Sequence, residues 1–310
     1  MKAVEISQYG PPSIVRLSEV DSPEPGIGQL RVRVRAAGVG PWDALVREGQ
    51  SGVAQTLPLT LGSDIAGTVD ALGAGVSGFR VGDEVYGLTN EHFTGGYAEY
   101  ALASERSMAR KPKSLTFIQA ASAPVVAVTA WQMLFDYAHA TTGQKVLIHG
   151  AAGNVGAYAV QMARNAGLQV FATASTENLT YVRDLGAATV IDYRENRFED
   201  SVRGVDIVLD TVGGDTRTRS IDVLRPGGTV VSVVSSPMPN DFGVERGVKV
   251  IFFIVNVTTE RLNMVAELFD TNKIVPHVGT VLPLRDAQLA HQMLAGGPHA
   301  RGKIVLNIAG

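Results

Sequence analysis

One stretch near the middle of the chain restricts the fold more than any other. An apolar segment at residues 145–149, Lys145-Val146-Leu147-Ile148-His149, runs into Gly150-Ala151-Ala152-Gly153-Asn154-Val155-Gly156 and then into helix-compatible residues 155–166. A short apolar run ending in glycines and reopening with helical periodicity reads as strand, tight turn and helix. The same rhythm continues. Strands are expected at 169–172, 188–191, 206–210, 229–233 and 248–255, with a helix at 176–185. Nearly all residues of these strands are apolar, which is the pattern of strands covered on both faces. Strands alternating with helices imply an α/β unit, a doubly wound parallel sheet.

The turn itself carries chemistry. Glycines let the backbone come close to a pyrophosphate, and the helix that follows supplies unpaired N–H groups and the positive end of its dipole. The spacing is Ala151-x-Gly153-x-x-Gly156 with Gly150 in front, which departs from GxGxxG at its first glycine. The bland alternative is a merely tight strand–helix turn; the βαβ context weighs against it. Gly150, Ala151, Gly153, Asn154, Val155 and Gly156 are therefore the candidate dinucleotide-binding residues. At the end of the second strand, Ala172-Thr173-Ala174-Ser175 lacks the carboxylate that would hold an NAD ribose hydroxyl. Ser175, with Tyr193 and Arg194 after the third strand, leaves room for a 2′-phosphate. NADPH is the expected cofactor. Glu177 is expected in the first helical turn, where its charge complements the dipole.

The first third reads differently. Leu30, Val32 and Val34 alternate with Arg31, Arg33 and Arg35, the period of a half-buried strand. Glycine and proline clusters at 10–12, 22–28 and 73–78 separate short strands, as in a small barrel. Residues 117–140 are helix-compatible apart from Pro124. The end of the chain offers a helix after about residue 258, a strand at 278–282, a helix at 284–294 and a strand at 303–307, which suit a return to the first domain. With 310 residues, two domains are expected.

Composition matters mainly for what it removes. The net charge is −3 with no basic run, which gives no support for a nucleic-acid or anionic-membrane surface. Apolar runs near 120–130 and 248–257 are interrupted and shorter than the ~20 residues a bilayer needs. No signal-peptide core opens the chain, so a cytoplasmic protein is expected. Cysteine is absent, which excludes disulfides and thiolate metal sites. The six histidines, His92, His139, His149, His277, His291 and His299, form no close ligand pair, and a catalytic zinc is not expected. His149 is expected to be neutral and packed.

Several segments together resemble a known family. Gly62-Ser63-Asp64-Ile65-Ala66-Gly67-Thr68-Val69 resembles the GxExxGxV segment of the medium-chain dehydrogenase/reductase superfamily. Gly38-Val39-Gly40-Pro41-Trp42-Asp43 is similar to the Asn-Pro-x-Asp stretch of its zinc-free quinone oxidoreductases, and Gly95-Gly96-Tyr97-Ala98-Glu99-Tyr100 to their GG-x-A-E-Y segment. Asp210-Thr211-Val212-Gly213-Gly214 and Arg301-Gly302-Lys303-Ile304-Val305 match later stations. The resemblance covers nearly the whole chain in order.

It implies a GroES-like catalytic β-barrel domain at 1–118, completed by 266–310, around a Rossmann NADPH-binding domain at 119–265, with the active site in the cleft. It implies that Thr129 approaches the nicotinamide and that Val234, Ser235, Phe253 and Val255 line the nicotinamide-ribose pocket, with Thr211 among the cofactor-binding residues. Lys303 is implied at the cofactor end of the tail, and a homodimer paired through residues 248–257. Two departures stand out: Gly40 replaces the family asparagine, and Asn178 a family lysine.

The zinc branch of the superfamily needs cysteine and a histidine where this chain has Ser63. Without a metal Lewis acid, a simple alcohol loses its alkoxide stabilisation, whereas an activated C=C bond or a quinone remains reducible. Trp42 and Phe93, with Phe252 or Phe253, are the candidate substrate walls, because aromatic faces suit flat acceptors. Asp43 and Asp64 read as loop anchors before acid–base groups. No obligatory proton donor is assigned. Three functions compete: an NADPH-dependent quinone or enone reductase, an NADPH-binding scaffold or sensor with little catalysis, and an enoyl-thioester reductase.

Overall fold

A computed structural model describes residues 1–52, 55–235, 243 and 246–308. The chain divides into two compact units, Met1–Val125 with Val257–Gly310, and Val126–Asn256.

In the first unit, β1 (Lys2–Ile6) pairs antiparallel with β2 (Arg16–Glu19). The long strand β3 (Gln29–Val39) leads into helix α1 (Pro41–Glu48). Strands β4 (Leu59–Thr60), β5 (Asp64–Leu72), β6 (Glu84–Leu88), β7 (Tyr100–Ser104) and β8 (Met108–Arg110) follow. The alternation read along β3 holds: Leu30, Val32 and Val34 are buried, each contributing about 1.5–3 kcal/mol of apolar burial. On the other face, Arg31 meets Asp70 at 2.7 Å and Glu24 at 2.8 Å. Helix α2 (Phe117–Ala121) packs on β3 and β5.

In the second unit, α3 (Pro124–Trp131) continues into a π-helical turn at Gln132–Tyr137. Then come β9 (Lys145–Ile148), α4 (Asn154–Asn165), β10 (Gln169–Ala174), α5 (Leu179–Asp184), β11 (Thr189–Asp192), α6 (Phe198–Ser201), β12 (Val205–Asp210), α7 (Gly214–Ser220), β13 (Leu224–Ser232) and β14 (Lys249–Phe252). The six strands are parallel in the order β11-β10-β9-β12-β13-β14. This is the doubly wound sheet the sequence rhythm implied. The order reverses at β9, and the crevice beyond the end of that strand is where such sheets bind ligands. The last strand is shorter than the expected 248–255. Beyond Phe252 the chain leaves the sheet edge, Phe253 stacks on Tyr137 with ring centroids 4.3 Å apart, and the Asn256 N–H donates to Gln132 Oε1 at 2.9 Å.

The chain then re-enters the first unit through α8 (Thr259–Asp270), β15 (Val278–Pro283), α9 (Ala287–Leu294) and β16 (Lys303–Asn307). Strand β16 pairs with β15 and with the end of β3, in the register Ile304↔Val39 and Leu306↔Ala37. The first unit's main sheet thus reaches seven strands, β15-β16-β3-β5-β6-β8 with β7 on β3. The unit borders fall at 125/126 and 256/257, against sequence expectations of 118/119 and 265/266. The physical reason is packing: α2 lies on barrel strands, and α8 packs against β8.

Candidate functional site

The second unit holds the glycine turn. Gly150 follows β9 with φ +67°, a left-handed conformation that favours glycine. Its carbonyl accepts from the Gly153 N–H at 2.9 Å, closing the turn. Gly153 then caps α4 without a side chain, so the helix opens with no side-chain acceptor on its first N–H groups. A Cβ at Gly156 would collide with the Gly150 carbonyl, so the close approach in this turn needs glycine there. Gly153 is exposed, and Asn154 and Val155 are half-buried. Ala151 is buried and donates to the Thr173 carbonyl at 3.3 Å, tying the turn to β10. An uncapped helix start behind a backbone kept bare by glycine fits a pyrophosphate.

Beside it, the ends of β10 and β11 build a polar corner. Ser175 is buried, and its Oγ accepts from Asn178 Nδ2 at 2.8 Å. Asn178, the replacement for a family lysine, therefore braces Ser175. Asp192 accepts from the Arg194 N–H at 3.0 Å and from the Thr176 hydroxyl at 2.5 Å, and that hydroxyl holds its carboxyl below the usual range. Tyr193 is largely exposed. The Arg194 guanidinium, expected near a 2′-phosphate, is at 2.8 Å from Glu177 in this structure.

On the other side of β9, Thr211 donates its hydroxyl to the His149 carbonyl at 2.8 Å. Val234 accepts from Arg217 Nη1 at 3.2 Å and its N–H donates to Ser232 Oγ at 3.2 Å. Ser235 is exposed, Val255 half-buried, and Phe253 and Thr129 buried. Asp210 organises this loop, accepting from Val212 N–H at 3.0 Å, Gly213 N–H at 2.8 Å and Ser232 Oγ at 2.7 Å. His149 is buried between Thr173 and Ser220, each at 3.0 Å, and burial drives it down to about 4, so it is neutral.

The first unit holds a second polar cluster. Asp43 Oδ2 accepts from the Gly40 N–H and from the Tyr97 hydroxyl, both at 2.8 Å. Asp64 Oδ1 accepts from the Val125 N–H at 3.1 Å. Both carboxylates anchor loops. Lys303 does not present its ammonium at a surface: it is 1% exposed, with Nζ 3.4 Å from Asp64 Oδ2 and 4.1 Å from the Trp42 ring centroid. Lys303 Nζ, Asp64 Oδ2 and Asp43 Oδ1 have no hydrogen-bond partner among the described residues. Burial pushes Asp43 up to about 7 and Asp64 up to about 6, against the pull of Lys303, and lowers Lys303. The Trp42 indole N–H donates to Ser63 Oγ at 3.1 Å, and its ring meets Phe93 at 6.4 Å. Phe93 stands at φ +59° in a loop that Asn90 holds through Thr94 and His92. Trp42, Asp43 and Phe93 thus share one unit with Lys303, while the glycine turn, Ser175 and Thr129 share the other.

Sequence reasoning missed Asp192, the loop-anchoring role of Asp210 and the link between Lys303 and Trp42. The sequence pattern gives little signal for this, since Lys145 and Lys249 also open apolar strands and are exposed; only once buried does such a lysine need a partner. The pairings Gly38↔Asp64 and Ile304↔Val39 bring that partner alongside. Among the described residues no group of three or more His, Cys, Asp or Glu side chains is arranged to hold a metal.

The alcohol dehydrogenase GroES-like domain family matches residues 26–113, and the zinc-binding dehydrogenase family matches residues 185–306. The chain is 32% identical over 322 residues to the quinone oxidoreductase of Homo sapiens, covering 99% of this chain and 97% of that one. Among solved structures, the quinone oxidoreductase from Coxiella burnetii superposes with a TM-score of 0.93 at 35% identity, covering 99% of each chain. A mycobacterial protein solved as a complex with NADPH superposes with a TM-score of 0.90 at 30% identity, covering 99% of this chain and 100% of that one. With its parallel Rossmann-type sheet and GroES-like unit, the chain belongs to the quinone oxidoreductase-like branch of the medium-chain dehydrogenase/reductase superfamily.

Proposed function

We propose that this protein is a zinc-independent, NADPH-dependent reductase that delivers hydride to a quinone or to the activated C=C bond of an α,β-unsaturated carbonyl. The observation that carries the reading is the turn Gly150–Gly156, whose three glycines leave backbone uncovered and which opens a helix with no side-chain N-cap at the reversal point of a parallel sheet. The NADPH complex of the mycobacterial relative adds support. Bound NADPH would supply the hydride. The α4 N–H groups hold the pyrophosphate, Ser175 and Tyr193 line the 2′-phosphate corner, and Arg194 exchanges Glu177 for the phosphate. Asp210 fixes the loop that carries Thr211, and Trp42 and Phe93 wall the acceptor. The absence of cysteine supports chemistry without zinc.

In the same reading the protein is a cytoplasmic homodimer, paired through the outer edge of β14, where Phe252 is 40% exposed. No helix among the described residues is long and apolar enough to cross a membrane. The test is titration of metal-free protein with NADPH and NADH, then NADPH consumption with 1,4-benzoquinone and a simple enone. Preferential NADPH binding with turnover is expected. NADPH binding without turnover of any acceptor, enoyl thioesters included, would overturn catalysis and leave a scaffold.

A further inference from the structure

Gly40 stands where the family pattern has asparagine, and the structure shows what fills that space. A Cβ at Gly40 would run into the six-membered ring of Trp42, with Cε2 only 2.7 Å away. The indole therefore lies across the glycine, and no side chain at position 40 is compatible with its place. Three contacts hold it there. Its N–H donates to Ser63 Oγ at 3.1 Å, Phe93 packs against it at 6.4 Å, and the Lys303 ammonium sits 4.1 Å from the ring centroid. Lys303 and Asp64 are buried and only 3.4 Å apart, and neither Nζ nor Oδ2 makes a hydrogen bond among the described residues. A desolvated ammonium with no hydrogen-bond acceptor finds its compensation in the carboxylate and in the π face, and the attraction to the ring is strongest where water is excluded. Trp42 is half-buried, so part of the ring stays open to solvent while one face is covered.

We propose that Lys303 is a positioning residue for the acceptor: clamped by Asp64, its ammonium fixes the Trp42 indole across Gly40, and the fixed ring replaces a hydrogen-bonding side chain at position 40 as the surface offered to the acceptor. The inference rests on the reading of Trp42 as an acceptor wall. A rigid ring stacks on a flat acceptor over its whole area and on an open-chain one over little of it. Loosening the ring therefore costs affinity for the flat acceptor first.

The experiment compares the wild type with Asp64→Asn/Lys303→Met, which removes both charges together, and with Gly40→Ala, which displaces the ring directly. Acceptors are 1,4-naphthoquinone and 3-penten-2-one with NADPH. Both variants should raise KM for naphthoquinone about tenfold with kcat kept within twofold, and change KM for the enone less than twofold. In a Trp131→Phe background, emission from Trp42 should be quenched by naphthoquinone in the parent and much less in either variant. Equal changes for both acceptors, or quenching that survives both variants, overturn the inference. Should the double variant fail to fold, Asp64→Asn/Lys303→Gln, which keeps a polar pair without the charges, takes its place. Quenching without turnover in the parent removes the reductase reading and keeps the positioned ring. Turnover without quenching does the reverse.

Discussion

The two polar centres of this molecule are built on opposite plans. In the second unit, the glycine turn lies within seven consecutive residues, and its geometry is a backbone property: φ at Gly150, a bare Gly156, an uncapped α4. In the first unit, Asp43, Ser63, Asp64, Tyr97 and Lys303 converge from α1, β5, the segment before β7 and β16, and almost everything rests on side-chain charge in a dry interior. The first plan tolerates distant change and fails when a Cβ is added. The second also has glycines without room for a Cβ, but it fails in addition when charge is unbalanced.

Unbalancing the charge is the largest expected effect. Lys303→Met leaves Asp64 buried without its counter-ion, and breaking a buried pair in this way costs about 3–5 kcal/mol. The double variant with Asp64→Asn removes both charges and should lie close to wild-type stability. Urea midpoints of the two single variants and the double give the coupling directly. A Lys303→Met cost below about 1 kcal/mol would mean that the pair contributes no more than a surface ion pair, and the contrast between the units would collapse.

Each unit also buries a histidine, and pH separates them from the carboxylates. Burial lowers His149 to about 4, while burial and the neighbouring Arg47 guanidinium, 2.9 Å from its Nδ1, lower His291 to about 3. Below the ordinary value near 6.5 the unfolded chain binds these protons and the folded one does not. Stability from both therefore holds above pH 6.5 and falls as pH drops toward 4. Each group is worth on the order of 2–3 kcal/mol across that window. Asp43 works the other way: with its carboxyl raised to about 7, folding favours the protonated form, and stability is lost as pH rises from about 4 to about 7. His149→Gln should flatten the acid limb of the urea midpoint against pH, and Asp43→Asn should steepen the net rise. An acid limb unchanged by His149→Gln would refute the buried neutral ring.

Adding one carbon to the turn ranks next. In Gly156→Ala the new Cβ meets the Gly150 carbonyl, and the overpacking should cost about 1–3 kcal/mol. Roughly ten- to hundredfold weaker NADPH binding by titration follows if the strain falls on the bound conformation. Gly153→Ala is the internal control, since its Cβ has a single neighbour, the Gly150 carbonyl at 3.2 Å, and its φ of −75° is ordinary. Equal losses from both substitutions would show that bare backbone, rather than the Gly150–Gly156 approach, is what matters.

The same contrast explains what the sequence made legible. The turn, the parallel strands and the alternation of β3 are local patterns with a fixed period, so residues 150–156 and the buried trio Leu30, Val32 and Val34 were readable in advance. Strand β16 itself is readable at its bounds, but the burial of Lys303 beside Asp64 is not. Its partner is chosen by register: only the pairing of β16 with the end of β3, and of β3 with β5, brings residue 303 to residue 64. The shortened β14 was hidden for a related reason, because the stacking of Phe253 on Tyr137 that draws the chain off the edge is non-local. At Gly40 the sequence shows only that a side chain is missing; that the Trp42 indole occupies the space is set by packing.

The smallest effect sharpens the cofactor corner. Arg194 and Glu177 are 53% and 57% exposed, so their 2.8 Å contact is worth a few tenths to about 1 kcal/mol, and losing it should leave the melting temperature nearly unchanged. A 2′-phosphate carries more charge than the glutamate it displaces, and Glu177 both competes for the guanidinium and repels the phosphate. Glu177→Gln should therefore raise the preference for NADPH over NADH by up to roughly fivefold, most clearly at low salt, while Arg194→Ala should lower it by a similar factor. Binding titrations with both nucleotides at two salt concentrations measure the ratio. If Glu177→Gln leaves the ratio where it was, Arg194 does not turn to the phosphate. Discrimination then rests on Ser175 and Tyr193, and the corner resembles the glycine turn in depending on shape more than on charge.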